Sequence, residues 1–169
     1  FLCALRPATA ADLRLAGHAL GEPRERASTD TSFDCVRPAV RGFTATCTAR
    51  APHAIQIGAV PLRFFALHYE GEKLVAVEAH LPELRFQEAA QALAATSGEA
   101  SVEIERLRSG MGSIFENAIH VWRDADAVLR LEQFFRSIAT SSAILTTESH
   151  LGKLVIPKVT NERTGIKDL

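Results

Sequence analysis

The clearest alternation of apolar and polar positions lies in the middle of the chain. "LRFFALHYE" (Leu62–Glu70) and "KLVAVEAHL" (Lys73–Leu81) flank Gly71-Glu72. A period of two predicts strands, and a glycine at the first turn position suits a tight hairpin. A two-residue turn pairs Ala66 with Val77, Phe64 with Ala79 and His68 with Val75. One face then carries Leu62, Phe64, Ala66, Val75, Val77 and Ala79 as a core. The other carries Phe65, Leu67 and Tyr69 beside Arg63, Glu78 and His80. Such a mixed face is either covered by another layer or used for binding.

The period changes to 3.6 after Pro82. Phe86, Ala89, Ala90, Leu93 and Ala94 form one stripe, which predicts a helix over Glu83–Thr96 that stops at Gly98. Alanine in the stripe lets that helix lie close on a sheet. A first helix is expected over Ala10–Leu20, capped by Thr9 with Asp12 three residues on, and ended by Gly21 and Pro23. Residues Glu22–Ser32 are polar and charged, as in an exposed loop.

Alternation returns in the second half. "VEIERLR" (Val102–Arg108), "NAIHVWR" (Asn117–Arg123), "AVLRLEQFF" (Ala127–Phe135) and "SAILTTES" (Ser142–Ser149) all predict strands. Centring a hairpin on Ala125 pairs Val121 with Leu129 and Ile119 with Leu131. That sends Trp122 to the opposite face. Asp124-Ala125-Asp126 then reads as a turn, because aspartate bonds nearby backbone and tolerates positive φ. A metal site there needs further oxygen ligands that the neighbouring sequence does not place. A weak echo runs through the whole: "ALGEP" and "TSGEA" each end a helix pattern and precede a polar stretch and strands, as though one unit were used twice.

Composition narrows the picture. The chain has 169 residues and a net charge of -1. Its Lys and Arg are scattered, which argues against nucleic acid as the main partner. The length suits a single α+β domain over 1–169: an N-terminal helix and polar loop (1–34), a core (35–151) and a polar tail (155–169). The expected core is an antiparallel sheet of about five to seven strands with one or two helices packed on one face. No run of 18 apolar residues predicts a spanning helix, so no transmembrane segment is expected. "FLCAL" lacks the length and charged flank of a secretory core. Because the sequence opens at Phe1, a cleaved export signal and a trimmed chain are both open readings.

Chemistry is sparse. There is no G-x-S-x-G, no phosphate-binding G-x-x-x-x-G-K-[ST] and no C-x-x-C. The six histidines show no i, i+4 pair. In the expected register His80 lies opposite Arg63, far from His68. The sequence therefore offers no catalytic residue, no metal site and no cofactor. Cys35 and Cys47 have a spacing that fits a short disulfide loop or two buried thiols. Cys3 is left over.

The order of elements carries a resemblance. "FALHYEGEKLVAVEAHLPELRFQEAAQALAATSGEA", then "IHVWRDADAVLRLEQ" and "TSSAILTTESHL", resembles a group of small exported bacterial proteins. In these a hairpin precedes a helix, followed by a W-R strand, an L-x-L strand and a final serine-rich strand. In plan they are similar to the helix-pair-on-sheet fold of β-lactamase-inhibitor protein and the BamE-like outer-membrane lipoproteins. The resemblance covers about Cys35–Leu151. It implies a periplasmic or secreted location and a disulfide between Cys35 and Cys47. The expected function is a non-enzymatic exported protein that binds another protein or an envelope component, with Phe65, Leu67 and Tyr69 of the mixed hairpin face and Trp122 as candidate binding face. An inhibitor or immunity protein that blocks a specific enzyme is the alternative. A hydrolase without a recognisable motif is the third reading.

Overall fold

A computed structural model describes residues 13–36, 40–108 and 112–155. Eight strands within them make one antiparallel sheet: β1 (Phe33–Val36), β2 (Ala45–Ala49), β5 (Phe64–Glu70), β6 (Lys73–Pro82), β7 (Ser101–Arg108), β8 (Ile114–Asp124), β9 (Ala127–Glu132) and β10 (Thr140–Thr147). Their order across the sheet is β1-β2-β5-β6-β10-β9-β8-β7. A separate two-stranded ribbon pairs β3 (Gln56–Ile57) with β4 (Val60–Pro61). The helices are a single turn α1 (Glu25–Ser28), then α2 (Phe86–Ser97) and α3 (Glu148–Leu154). The strand count exceeds the expected five to seven. One reason is the Cys35–Cys47 stretch, which reads as a loop in sequence and is the β1–β2 hairpin in the fold.

The layout is regular. β1, β2, β5 and β6 run from one edge to the centre, and β7, β8, β9 and β10 run from the other edge to the centre. The halves meet where β6 pairs antiparallel with β10. This strand order has the form of a unit used twice. Among the described residues, only the second unit opens with a full helix, α2. The expected first helix is not present in its described part: Leu13–Leu20 is irregular, with a Leu15–His18 bridge around Ala16 and Gly17. Both turn residues have positive φ, at 50° and 86°, which no helix accommodates. Residues 10–12 and the tail from residue 156 onward lie outside the described residues.

The main core lies between one sheet face and the layer of α2, the segment around Leu13 and Leu15, and the β3–β4 ribbon. The α2 stripe buries Phe86, Ala89, Ala90 and Leu93, while Ala94 is exposed. The ribbon turn presses on the same helix. A Cβ added at Gly58 would sit 2.6 Å from the Ala92 Cβ, so only glycine fits, and its φ of +61° asks for glycine as well. No helix among the described residues is long and apolar enough to cross a membrane.

Two expected registers are off by one residue, with different causes. In the β5–β6 hairpin, Glu70 pairs with Lys73 and Tyr69 with Leu74, as a two-residue turn demands. A bulge then skips Val75, so His68 pairs with Ala76, Leu67 with Val77 and Phe65 with Ala79. The bulge lets Leu74 and Val77, three apart, both face the main core. Phe65, Leu67 and Tyr69 therefore join the core, and Phe64 and Ala66 take the other face. In the β8–β9 hairpin the turn is Ala125-Asp126 rather than three residues, since Asp124 pairs with Ala127. Ala125 accepts a φ of +48°. Trp122 consequently pairs with Leu129, on the α2 side.

Candidate functional site

The face away from α2 carries a buried polar network, and β6 supplies its centre. Glu78 is 2% exposed. Its Oε2 accepts from Arg41 Nη1 at 3.1 Å and meets His68 Nε2 at 3.1 Å, and its Oε1 meets His80 Nε2 at 2.9 Å. His68 Nδ1 lies 3.0 Å from Thr46 Oγ1. A neutral His68 ring that donates from Nε2 accepts the Thr46 hydroxyl at Nδ1, so one tautomer satisfies the chain. Phe43 stacks on His68 with ring centroids 4.7 Å apart, and Lys153 from α3 lies 5.1 Å from the Phe43 centroid. Phe64 and Phe135 flank His80. Burial pushes the Glu78 carboxyl up. The bonds from His68 and His80 and the charges of Arg41 and His80 overcome this and hold it well below the ordinary carboxylate range.

Hydroxyl, imidazole and carboxylate thus stand in the order of a nucleophilic triad. The surroundings do not serve that chemistry. Thr46 is only 5% exposed, and the Phe43 ring covers His68. A threonine hydroxyl is an effective nucleophile when an N-terminal amine activates it, and this one is internal to β2. Glu78 has both oxygens engaged and stays ionised. The network ties β2, β5, β6 and the Val40–Gly42 turn together. A second network does the same in the other half. Asn117 Nδ2 bridges Glu132 and Glu105 at 3.0 and 3.1 Å, its Oδ1 accepts from Phe134 N, and Arg130 reaches Glu132 at 3.3 Å. Among the described residues, no group of His, Cys, Asp and Glu is arranged to hold a metal ion.

The accessible chemistry is at the β7 edge. β7 is eight residues long and exposed or half-exposed throughout. It pairs with β8 from Ser101 with Val121 to Arg108 with Ile114, without interruption. β9 pairs with β8 only from Ile119 to Asp124. Asn117 and Ala118 are still held by the segment that follows β9, through Glu132, Gln133 and Phe134, and only the end of the hairpin, Arg106–Arg108 with Ile114–Glu116, extends past them. On the α2-side face, Val102, Ile104 and Ile114 are 55%, 57% and 61% exposed. The opposite face of β7 presents Ser101, Glu103 and Glu105. A cleft of about 280 Å³ opens where β7 begins, lined by Ser97, Glu99, Ser101, Val121, Trp122 and Arg123.

The expected binding face needs correction. Phe65, Leu67, Tyr69 and Trp122 do share one face, but it is the covered one: they are 0%, 0%, 1% and 3% exposed. The bulge and the two-residue turn put them there. Burial pushes the Tyr69 phenol up to about 12. Trp122 donates from Nε1 to the Gly98 carbonyl at 2.8 Å, which anchors the end of α2 to β8. Cys35 and Cys47 are directly opposite in β1 and β2 and form a disulfide. Cys3 lies outside the described residues. His68 and His80, expected far apart, are instead bridged by Glu78. The E-x-H spacing of Glu78 and His80 was a usable signal, because residues two apart on a strand share a face. His68 was hidden by the bulge. Asp124 and Asp126 form the hairpin end, where the Asp126 carbonyl accepts from Glu148 N. Comparison with models of protein families, with curated proteins and with solved structures finds no match to this chain.

Proposed function

We propose that this chain is a non-enzymatic exported protein that binds another protein or an envelope component, and that the β7–β8 edge is its contact surface. The observation that carries this reading is the adjacent pair Val102 and Ile104, branched aliphatic side chains more than half exposed on one face of the edge strand; Ile114, opposite Arg108, lies farther along the same face beyond Arg106 and Glu116. Scattered single apolar residues on a surface are ordinary, whereas neighbouring exposed aliphatics on an edge strand offer an apolar contact to a partner. Export is supported by the Cys35–Cys47 disulfide, since such bonds persist in oxidising compartments.

The test is affinity capture from an envelope fraction with the native protein and with a Val102→Lys/Ile104→Lys variant. The expected result is a partner retained by the native chain and lost by the variant, with an unchanged thermal midpoint. An identical captured set overturns the reading. One observation favours inhibition as a second reading: the end of the β7–β8 hairpin, Arg106–Arg108 with Ile114–Glu116, extends past the residues that β9 pairs and offers an insert for a cleft. Loss of a target enzyme's turnover on adding the native chain, and its recovery with Ile114→Lys, is the expected outcome under that reading.

A further inference from the structure

We infer that β7 accepts an extended segment of the partner as a ninth strand, and that this segment is basic on one face and apolar-then-acidic on the other. The inference rests on the binding reading above and specifies its chemistry. β7 is the last strand of the sheet order, so every second residue turns its backbone N–H and C=O outward with no neighbouring strand among the described residues. It spans about 26 Å at strand rise. It contains neither proline nor glycine, and its pairing with β8 has no bulge. Of the devices that blunt an edge, β7 lacks proline, bulges and shortness but carries four charged side chains, Glu103, Glu105, Arg106 and Arg108, so a strand that adds here must answer those charges. At the opposite edge β1 has four residues and is tied to β2 by the disulfide.

The side chains specify the occupant. Directly opposed residues of antiparallel strands share a face, so a second copy of β7 can add only in registers that keep parity. Centred on Ile104, self-pairing opposes Glu103 to Glu105 twice and Val102 to Arg106. Centred on Glu103, Glu105 or Arg106, it opposes that charge to its own copy. Each of these registers sets like charges face to face or an aliphatic against a charge, which destabilises the pair. A different chain avoids this with Lys or Arg opposite Glu103 and Glu105, aliphatics opposite Val102 and Ile104, and Asp or Glu opposite Arg106 and Arg108. Main-chain bonds then supply affinity and the alternation supplies specificity. The cleft beside Ser101 and Trp122 receives the segment's end.

The probe is a capped eight-residue peptide, ELEKVKVT, written to oppose Arg108 back to Ser101 antiparallel. Its control is the charge-exchanged KLKEVEVT. The native protein is expected to bind the first at least about ten-fold more tightly, about 1.4 kcal/mol, and Glu103→Lys is expected to narrow that preference. Hydrogen exchange of outward amides in Ser101–Arg108 is expected to slow in the complex, with β1 unchanged. No binding, equal binding of both peptides, protection outside β7, or protein-concentration-dependent protection of β7 without peptide overturns the inference. If the Val102→Lys/Ile104→Lys variant loses its captured partner while the peptide result is negative, binding at this edge stands and strand addition falls. If capture is also insensitive to the variant, both fall.

Discussion

The two edges of the sheet solve the same problem in opposite ways. The β1 edge is short and covalently fastened: Cys35 and Cys47 sit in register, so the disulfide closes the hairpin at its paired strands. The β7 edge is twice as long, regular and studded with aliphatics. Behind each edge lies a buried polar network of similar design, with Glu78 at the centre of one and Asn117 with Glu132 at the centre of the other. The interior is thus fastened in both halves, and the halves differ at the rim. A fold under pressure merely to remain monomeric has reason to shield both rims. One rim is kept short and cross-linked, while the other is long and regular and carries its protection as charge, which excludes copies of itself and admits a strand of complementary charge.

The largest effect should come from the covered face. Trp122→Ala removes a side chain packed in the core and the bond to Gly98, and a loss of about 3–5 kcal/mol in chemical denaturation is expected. A loss under about 1 kcal/mol, the size of an ordinary substitution, would mean the indole is not buried in the way described. Glu78→Gln should cost about 3 kcal/mol near neutral pH, because a buried charged group loses its partner. The sign with pH follows. Glu78 is held below its ordinary value of 4.5. Its stabilising contribution is therefore complete above that pH and declines as pH falls below it. Native protein should lose stability on acidification more steeply than the Glu78→Gln variant. Parallel pH curves would remove Glu78 from this role.

Opening the fastened rim comes next. A Cys35→Ser/Cys47→Ala double variant should lose about 2–4 kcal/mol, with partner binding at β7 intact. If binding fails too, the two rims are not independent. At the β8–β9 turn, Ala125→Gly should raise stability by up to about 1 kcal/mol, because φ is +48° there. Smallest of all, Val102→Thr and Ile104→Thr should each change stability by less than about 0.5 kcal/mol. Weakened partner capture with those two variants, set against their unchanged stability, sharpens the contrast between rim and core most directly.

Much of this fold was legible in the sequence. Both central hairpins, the α2 stripe and its stop at Gly98, and the strands of the second half follow from period and turn residues. The β1–β2 hairpin stays hidden because "FDCV" and "ATCTA" are short and lack large alternating residues. Capping residues point to a first helix, yet the chain turns at Ala16-Gly17 and buries Leu13 and Leu15 two apart. The candidate site was legible only in part. Its expected binding residues follow from a choice of face, and two one-residue shifts exchange the faces. β5 reads "FFALHYE", apolar on both sides, so its own pattern does not distinguish one face from the other.

The sequence by itself determined where most strands and the long helix begin and end, and that the Asp124–Asp126 stretch holds a hairpin turn. Period, glycine placement and turn chemistry are local properties, and they act before any tertiary contact forms. Only the tertiary structure decided which face is core, which histidines share Glu78 and which strand is left at the rim. Those outcomes depend on a bulge at Val75, on a turn of two residues rather than three, and on a strand order that joins β6 to β10. Each is a long-range choice made by packing, and a shift of one residue reverses the side chains it presents.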